Sequence, residues 1–150
     1  MIPAGATTVP AYAFYNWDIP TSVEMPSSVT SIGNSALYDC KNLTSVKMPS
    51  VTSIGRDAFK QCESLTSVKM PSVIACDADA FKDCKRLTSV DIGSSITKLF
   101  STFHMCSNLK SVVIRAVEPP QIDNWTFNRC DALTEIIVPA ASEATYKEKW

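Results

Sequence analysis

A pattern that returns every 22 residues constrains this chain more than any other feature. Ser31-Ile32-Gly33, Ala36-Leu37, Cys40 and Leu43-Thr44-Ser45-Val46-Lys47-Met48-Pro49 come back 22 residues later. They return as Ser53-Ile54-Gly55, Ala58-Phe59, Cys62 and Leu65-Thr66-Ser67-Val68-Lys69-Met70-Pro71. The frame runs on through Ala80-Phe81, Cys84, Leu87-Thr88-Ser89-Val90 and Ile92, then through Phe103, Cys106, Leu109, Val112 and Ile114. A step of 24 leads to Phe127, Cys130, Leu133, Ile136 and Val138. Upstream, Ala13-Phe14, Thr21-Ser22-Val23 and Met25-Pro26 stand 23 residues before their counterparts. Six copies fill nearly all of the 150 residues. A unit this short cannot bury its own apolar face, so successive units must stack as the coils of a solenoid. The chain therefore reads as one domain over residues 1–150, with 140–150 as a C-terminal cap and no linker.

Within one unit, Leu43, Val46 and Met48 mark a short strand. Alternation along it turns these three inward and Ser45 and Lys47 outward. Pro49, Pro71 and Pro139 end the strand, where a missing N–H costs the ladder nothing. Val51 and Ile54 predict a shorter extended segment on the opposite wall. Ala58-Phe59-Lys60-Gln61-Cys62 predicts a turn, or a single helical turn, that points Phe59 and Cys62 inward. Strands of successive coils pair in parallel, and six coils rising about 4.8 Å each span roughly 25–30 Å.

The combination I-G-x-x-A-F-x-x-C-x-x-L-x-S-V-x-M-P resembles the leucine-rich repeats of the BspA type, found on surface proteins of Bacteroides-like and spirochaete bacteria. The resemblance covers residues 2 to about 139. It implies an α/β-type repeat solenoid: a right-handed coil of mostly short parallel strands, with turns or short helical turns and a C-terminal helical cap. It also implies a non-enzymatic module for protein binding or adhesion, on the cell surface or secreted, that carries no cofactor. Some positions depart from the pattern. Trp17 stands where the first unit should have its cysteine, Pro20 where it should have its leucine, and Cys76 replaces the isoleucine of the third. The fourth unit, Ser94-Ser95-Ile96-Thr97-Lys98-Leu99-Phe100, lacks the Ile-Gly pair and is one residue short before Phe103. The fifth carries Pro119-Pro120, absent elsewhere.

The ends differ in character. Ile2 to Val9 aligns with Met25 to Ile32, so the first coil begins at the tail of a repeat with no polar cap in view. This reads as a piece of a longer array or as a contact surface, and an end-to-end homodimer through the uncapped N-terminal coil is one form of such contact. At the other end, Ser142 is an N-cap candidate. Tyr146 and Trp150 share one helical face. A short helix there would bury both rings over the last coil.

Several residues invite a chemical reading. Cys40, Cys62, Cys84, Cys106 and Cys130 share one column, and with Cys76 they make six cysteines. No C-x-x-C pair is present to chelate zinc. Parallel side chains one rung apart suit disulfide geometry poorly, so a row of buried free thiols is expected. His104 and Cys106 suggest a nucleophile pair, but Cys106 belongs to the interior column and His104 reads as an exposed turn residue. Asp77, Asp79 and Asp83 could hold calcium weakly, yet lack the glycine and closing glutamate of an EF-hand loop; a solvated surface is the plainer reading. Two glycosylation-like triplets, at Asn42 and Asn124, read as coincidental. Phosphate-loop, nucleophile-elbow and metalloprotease motifs are absent, so no enzyme, metal or cofactor is expected. A net charge of −1 gives no reason to expect nucleic acid as a partner. No stretch nears the roughly 18 apolar residues of a membrane span, and the first residues show neither a basic n-region nor an apolar h-region.

What remains is a surface. One outward column is Ser22, Ser45, Ser67, Ser89, Ser111 and Glu135; the other is Glu24, Lys47, Lys69, Asp91, Val113 and Ile137. A partner-binding face is expected on Ser45 through Ile137 of these columns, toward a protein such as a host or extracellular-matrix protein. It should be weighted to the C-terminal half, where Val113 and Ile137 place apolar side chains in register and Pro119-Pro120 stands close in sequence. Two other readings compete: a structural spacer within a longer array, and an ice- or crystal-binding Ser/Thr ladder. The second is weakened by the interruptions at Lys47, Lys69 and Asp91.

Overall fold

The computed structural model describes residues 2–150. In chain order the strands are β1 (Thr8–Val9), β2 (Ser22–Glu24), β3 (Ser31–Ile32), β4 (Ser45–Lys47), β5 (Ser53–Ile54) and β6 (Ser67–Met70). They continue as β7 (Ala75–Cys76), β8 (Ser89–Ile92), β9 (Lys98–Leu99), β10 (Ser111–Ile114), β11 (Gln121–Ile122) and β12 (Glu135–Ile137), before a helix α1 (Glu143–Lys149). Odd and even strands form opposite walls of the coil. The short strands make one parallel sheet in the order β1-β3-β5-β7-β9-β11, with Ile32, Ile54, Cys76 and Leu99 in register. The longer strands pair as β2-β4 and as β6-β8-β10-β12, also parallel. Between β4 and β6 the regular ladder lapses, although the Thr66 N–H still donates to the Thr44 carbonyl at 3.2 Å.

The A-F-x-x-C segment is a turn and not a helix, because its amides bond to the neighbouring coil. The N–H groups of Leu37, Phe59 and Phe81 donate to the carbonyls of Ala58, Ala80 and Thr102, at 2.8–2.9 Å. Two residues in most turns are left-handed: Asp57 and Gln61, Asp79 and Asp83, Ser101 and Met105. The rings between them stack one coil apart, Phe59 on Phe81 at 4.9 Å and Phe81 on Phe103 at 5.8 Å. This turn column, with Leu65, Leu87 and Leu109 and the inner faces of both sheets, makes one continuous core. Each fully buried Leu or Phe side chain stabilises it by about 1.5–3 kcal/mol.

The irregular units keep this frame. In the fourth, Leu99 pairs with Cys76 at a shift of 23, whereas Phe103 follows Phe81 by 22. The residue missing before Phe103 is thus offset by one inserted between Ile92 and Ile96. Gly93 stands where the earlier units carry Pro49 and Pro71, and a Cβ there would clash with the Pro71 carbonyl oxygen. In the first unit Trp17 replaces a cysteine and stacks on Phe14 at 5.0 Å, and with Ile2 both rings lie half-buried against the core.

The C-terminal cap departs from expectation in two ways. Ser142 makes no side-chain capping bond, because a 3-10 turn over Ala140–Ser142 leads into α1 and buries that serine. Tyr146 is buried and donates its hydroxyl to the Ala116 carbonyl at 2.9 Å. Trp150, however, stays 36% exposed, its indole N–H donating to the Pro120 carbonyl at 3.2 Å. The helix therefore leans on the short-strand side and leaves Ile136, an inward position by sequence, 39% exposed.

Candidate interaction surface

The outward columns stand where strand alternation puts them. Ser67, Ser89, Ser111 and Glu135 are in register across β6-β8-β10-β12, as are Lys69, Asp91, Val113 and Ile137. Ser45 and Lys47 sit across the lapse in the ladder, paired instead with Ser22 and Glu24. The predicted face is therefore brought together from Ser67 to Ile137, with Ser45 and Lys47 at its margin.

Its charges are partly spent. The Lys47 ammonium lies 3.7 Å from the Glu24 carboxylate, both groups well exposed. Asp91 takes a two-pronged bond from Arg115, at 2.9 and 3.0 Å. That guanidinium's hydrogen bonds outweigh the carboxylate's partial desolvation and hold Asp91 below the ordinary aspartate range. Arg115 escaped the column reading because it lies just past β10 and reaches one coil back on a diagonal. Lys69 remains exposed beside Asp91.

At the C-terminal end the face turns apolar. Val113 is half-buried and Ile137 is 44% exposed on β12, whose far edge has no partner strand among the described residues. Ile136, Ile137 and Val138 line an open groove of about 520 Å³ with Tyr146, Lys147 and Trp150. Pro119-Pro120 does not join this patch. It lines a separate groove beside β11 on the other wall, with Phe100 and Trp150.

The residues with chemical promise have structural duties. All six cysteines are free and buried. The five column thiols each donate to a carbonyl of the preceding coil, as Cys84 does to Phe59 at 3.2 Å and Cys106 to Phe81 at 3.1 Å. Each of these two carbonyls already accepts an N–H, so the thiol fills its second lone pair. Burial pushes the Cys76 thiol up to about 12, which leaves no thiolate for nucleophilic work. Asp77 pairs with Lys98 and Asp79 with Lys82, while Asp79 and Asp83 hold left-handed turn positions. Their type follows from backbone conformation, since Asp tolerates that region better than most residues. His104 is half-buried against Trp125, ring centroids 5.3 Å apart, and is not the freely exposed turn residue expected. Threonine hydroxyls along both walls, such as Thr88 to Thr66 and Thr52 to Thr30, donate to carbonyls of the preceding coil. They are turned along the stack, which removes them from any ice-facing array.

Six copies of the BspA-type leucine-rich repeat region match the chain, over residues 1–99 and 42–148. The chain belongs to the BspA-type leucine-rich repeat family. Among solved structures, this leucine-rich repeat chain is similar to the T. pallidum leucine-rich repeat protein, with 25% identity and a TM-score of 0.64 over 95% of this chain and 76% of that one. A leucine-rich repeat protein from Eubacterium ventriosum aligns with 80% of the chain at 23% identity and a TM-score of 0.69. The repeat chain spans 33% of that protein's length. A leucine-rich cell surface protein from Faecalibacterium prausnitzii aligns with 98% of the chain and 55% of its own length, at 24% identity and a TM-score of 0.51. A comparison with curated proteins returns no match. The likenesses to the Eubacterium and Faecalibacterium proteins carry the fold alone.

Proposed function

We propose that this repeat chain is a non-enzymatic protein-binding module of a bacterial surface or secreted protein, with its contact face on the outward side of β6 to β12. One observation carries the reading: Ile136 and Ile137 stand exposed on the free edge of β12, in register with the β10 strand that carries Val113 and beside the groove under α1. A free strand edge offers backbone donors and acceptors to an extended segment, and apolar side chains beside it supply the area that holds it. Asp91 and Glu135 border the patch and set the polarity of the rim. The surface location draws its support from the family and from the cell surface protein of similar fold.

The test is a Val113→Asp, Ile137→Asp double variant, compared with the parent for capture of purified host and extracellular-matrix proteins. The variant should keep its far-ultraviolet spectrum and lose binding. Unchanged binding would remove this face. The half-buried Ile2, Phe14 and Trp17 of the first coil favour a second reading, a spacer or end-to-end dimer that stacks through its ends. Sedimentation of the chain against a Trp17→Glu variant separates the two, because stacking responds to Trp17 and partner capture does not.

A further inference from the structure

Three successive coils share an open cleft of about 680 Å³ on the turn wall, away from both strand walls. Trp125 stands in it, 54% exposed. In the preceding coils the equivalent turn position is the left-handed Asp57, Asp79 or Ser101, but Trp125 is not left-handed. Asp123 holds this turn in place of that conformation. Its carboxylate accepts the backbone N–H groups of Ser101 and Trp125 at 2.9 and 3.1 Å, and lies 2.8 Å from the Thr126 hydroxyl. The backbone under the indole is thereby fixed, while the ring stays outside the core.

The rim around the ring is polar and unspent. Asp83, Asn128, Arg129 and Asp131 border the cleft with His104. Among the described residues, none of these five side chains, nor the Trp125 indole N–H, has a hydrogen-bond or ion-pair partner within the chain. Lys85, which also lines the cleft, is by contrast closed on Glu63 of the preceding coil, as Lys98 is on Asp77. Two carboxylates, a guanidinium, an amide and an imidazole border the indole, polar groups that an acyl chain or an apolar peptide anchor would leave unpaired. Two carboxylates against the Arg129 guanidinium and a Lys85 ammonium already paired with Glu63 give no excess positive charge, which disfavours phosphate, sulfate or uronate.

We infer that this cleft binds a neutral sugar ring of a glycan, stacked on Trp125. The electron-rich face of an indole complements the weakly positive C–H bonds of a pyranose face. Adjacent hydroxyls each donate and accept, and the rim offers both functions side by side: Asp83 and Asp131 accept, Arg129 donates, and Asn128 does both. The site lies on a different wall from the protein-binding face and does not depend on it.

The test titrates the intact chain with the methyl glycosides of glucose, galactose and mannose and with N-acetylglucosamine oligomers, read by calorimetry and tryptophan fluorescence. Heparin and a peptide library serve as the acidic and peptide arms. At least one neutral glycoside should bind saturably, and Trp125→Ala should weaken it by about tenfold or more, a loss of about 1.4 kcal/mol. Asn128→Ala and Asp131→Asn, both at exposed positions, should weaken it without altering the fold, and Tyr12→Ala, an exposed aromatic elsewhere on the turn wall, should not. Absence of neutral-glycoside binding, binding that survives Trp125→Ala and Asn128→Ala, or a cleft that takes only heparin or peptide would each overturn the inference.

Discussion

A side chain in a stacked coil answers to the coils above and below it as much as to its own neighbours in sequence. Leu65 is completely buried between coils, whereas Lys69, four residues on, is exposed. Leu65→Ala should destabilise by about 2–5 kcal/mol. Lys69→Ala should cost under about 0.5 kcal/mol. Denaturant midpoints of the two variants check both. The thiols follow the same logic. Burial pushes Cys76 and Cys130 up to about 12, and Cys84 is also raised, chiefly by burial. Ellman titration should find six thiols that react slowly in the native chain and at once in denaturant; a bridge seen by mass spectrometry would contradict this. Asp123 runs the other way. Its partial burial alone would raise the carboxyl, but bonds from Ser101, Thr126 and Trp125 outweigh that and hold it below the ordinary range. A carboxyl lowered by folding stabilises fully above its unfolded value of about 3.9, and the gain fades as pH falls through the lower folded value. Asp123→Asn should therefore lower the midpoint at pH 7 by more than at pH 3, measured by urea titration at both.

Among the elements, strand length is set by how many successive positions find a partner one coil away. β6, β8 and β10 run four residues because their ladder extends to the rung Met70-Ile92-Ile114, while β2 and β4 pair over three. The short strands hold two residues each, enough to bury one side chain in most coils and no more. α1 shows what a short cap needs. Seven residues are too few to be stable alone, so docking must supply what propensity does not. That docking is the Tyr146 ring and its buried bond to Ala116. Tyr146→Phe leaves the Ala116 carbonyl without this donor and should cost about 1–3 kcal/mol, measured by thermal unfolding. A smaller loss would mean that the ring carries the cap and the bond does not.

For the whole molecule, a stack of coils has neighbour contacts and no others, so stability must fall toward the ends. Hydrogen exchange should be slowest in β6, β8 and β10 and fastest in β1 and β12. Uniform protection across all coils would show that the ends are as well covered as the middle. Both proposed sites lie toward the C-terminal half of the stack: the protein-binding edge is on β12, and the sugar cleft spans the three turns that precede it, joined by amide bonds such as Asp83 to His104 and Met105 to Asn128.

The period in the sequence determined the solenoid, the parallel pairing, the inward and outward columns and the buried thiols. A 22-residue repeat with one apolar set can be buried in one way, coil upon coil. Even the compensated insertion and deletion around Leu99 are visible once the columns are aligned. What the period could not carry was anything set by a diagonal or by an end. Arg115 reaches Asp91 across a coil and two residues, a distance that repeat columns do not record. Pro119-Pro120 is near Val113 in sequence and on another wall in space. The side to which α1 leans, and so the exposure of Ile136 and Trp150, depends on where Tyr146 finds its carbonyl. The unspent polar rim around Trp125 required knowing which side chains have partners. Repetition fixes what each coil shares with the next, and only tertiary structure decides what one coil does alone.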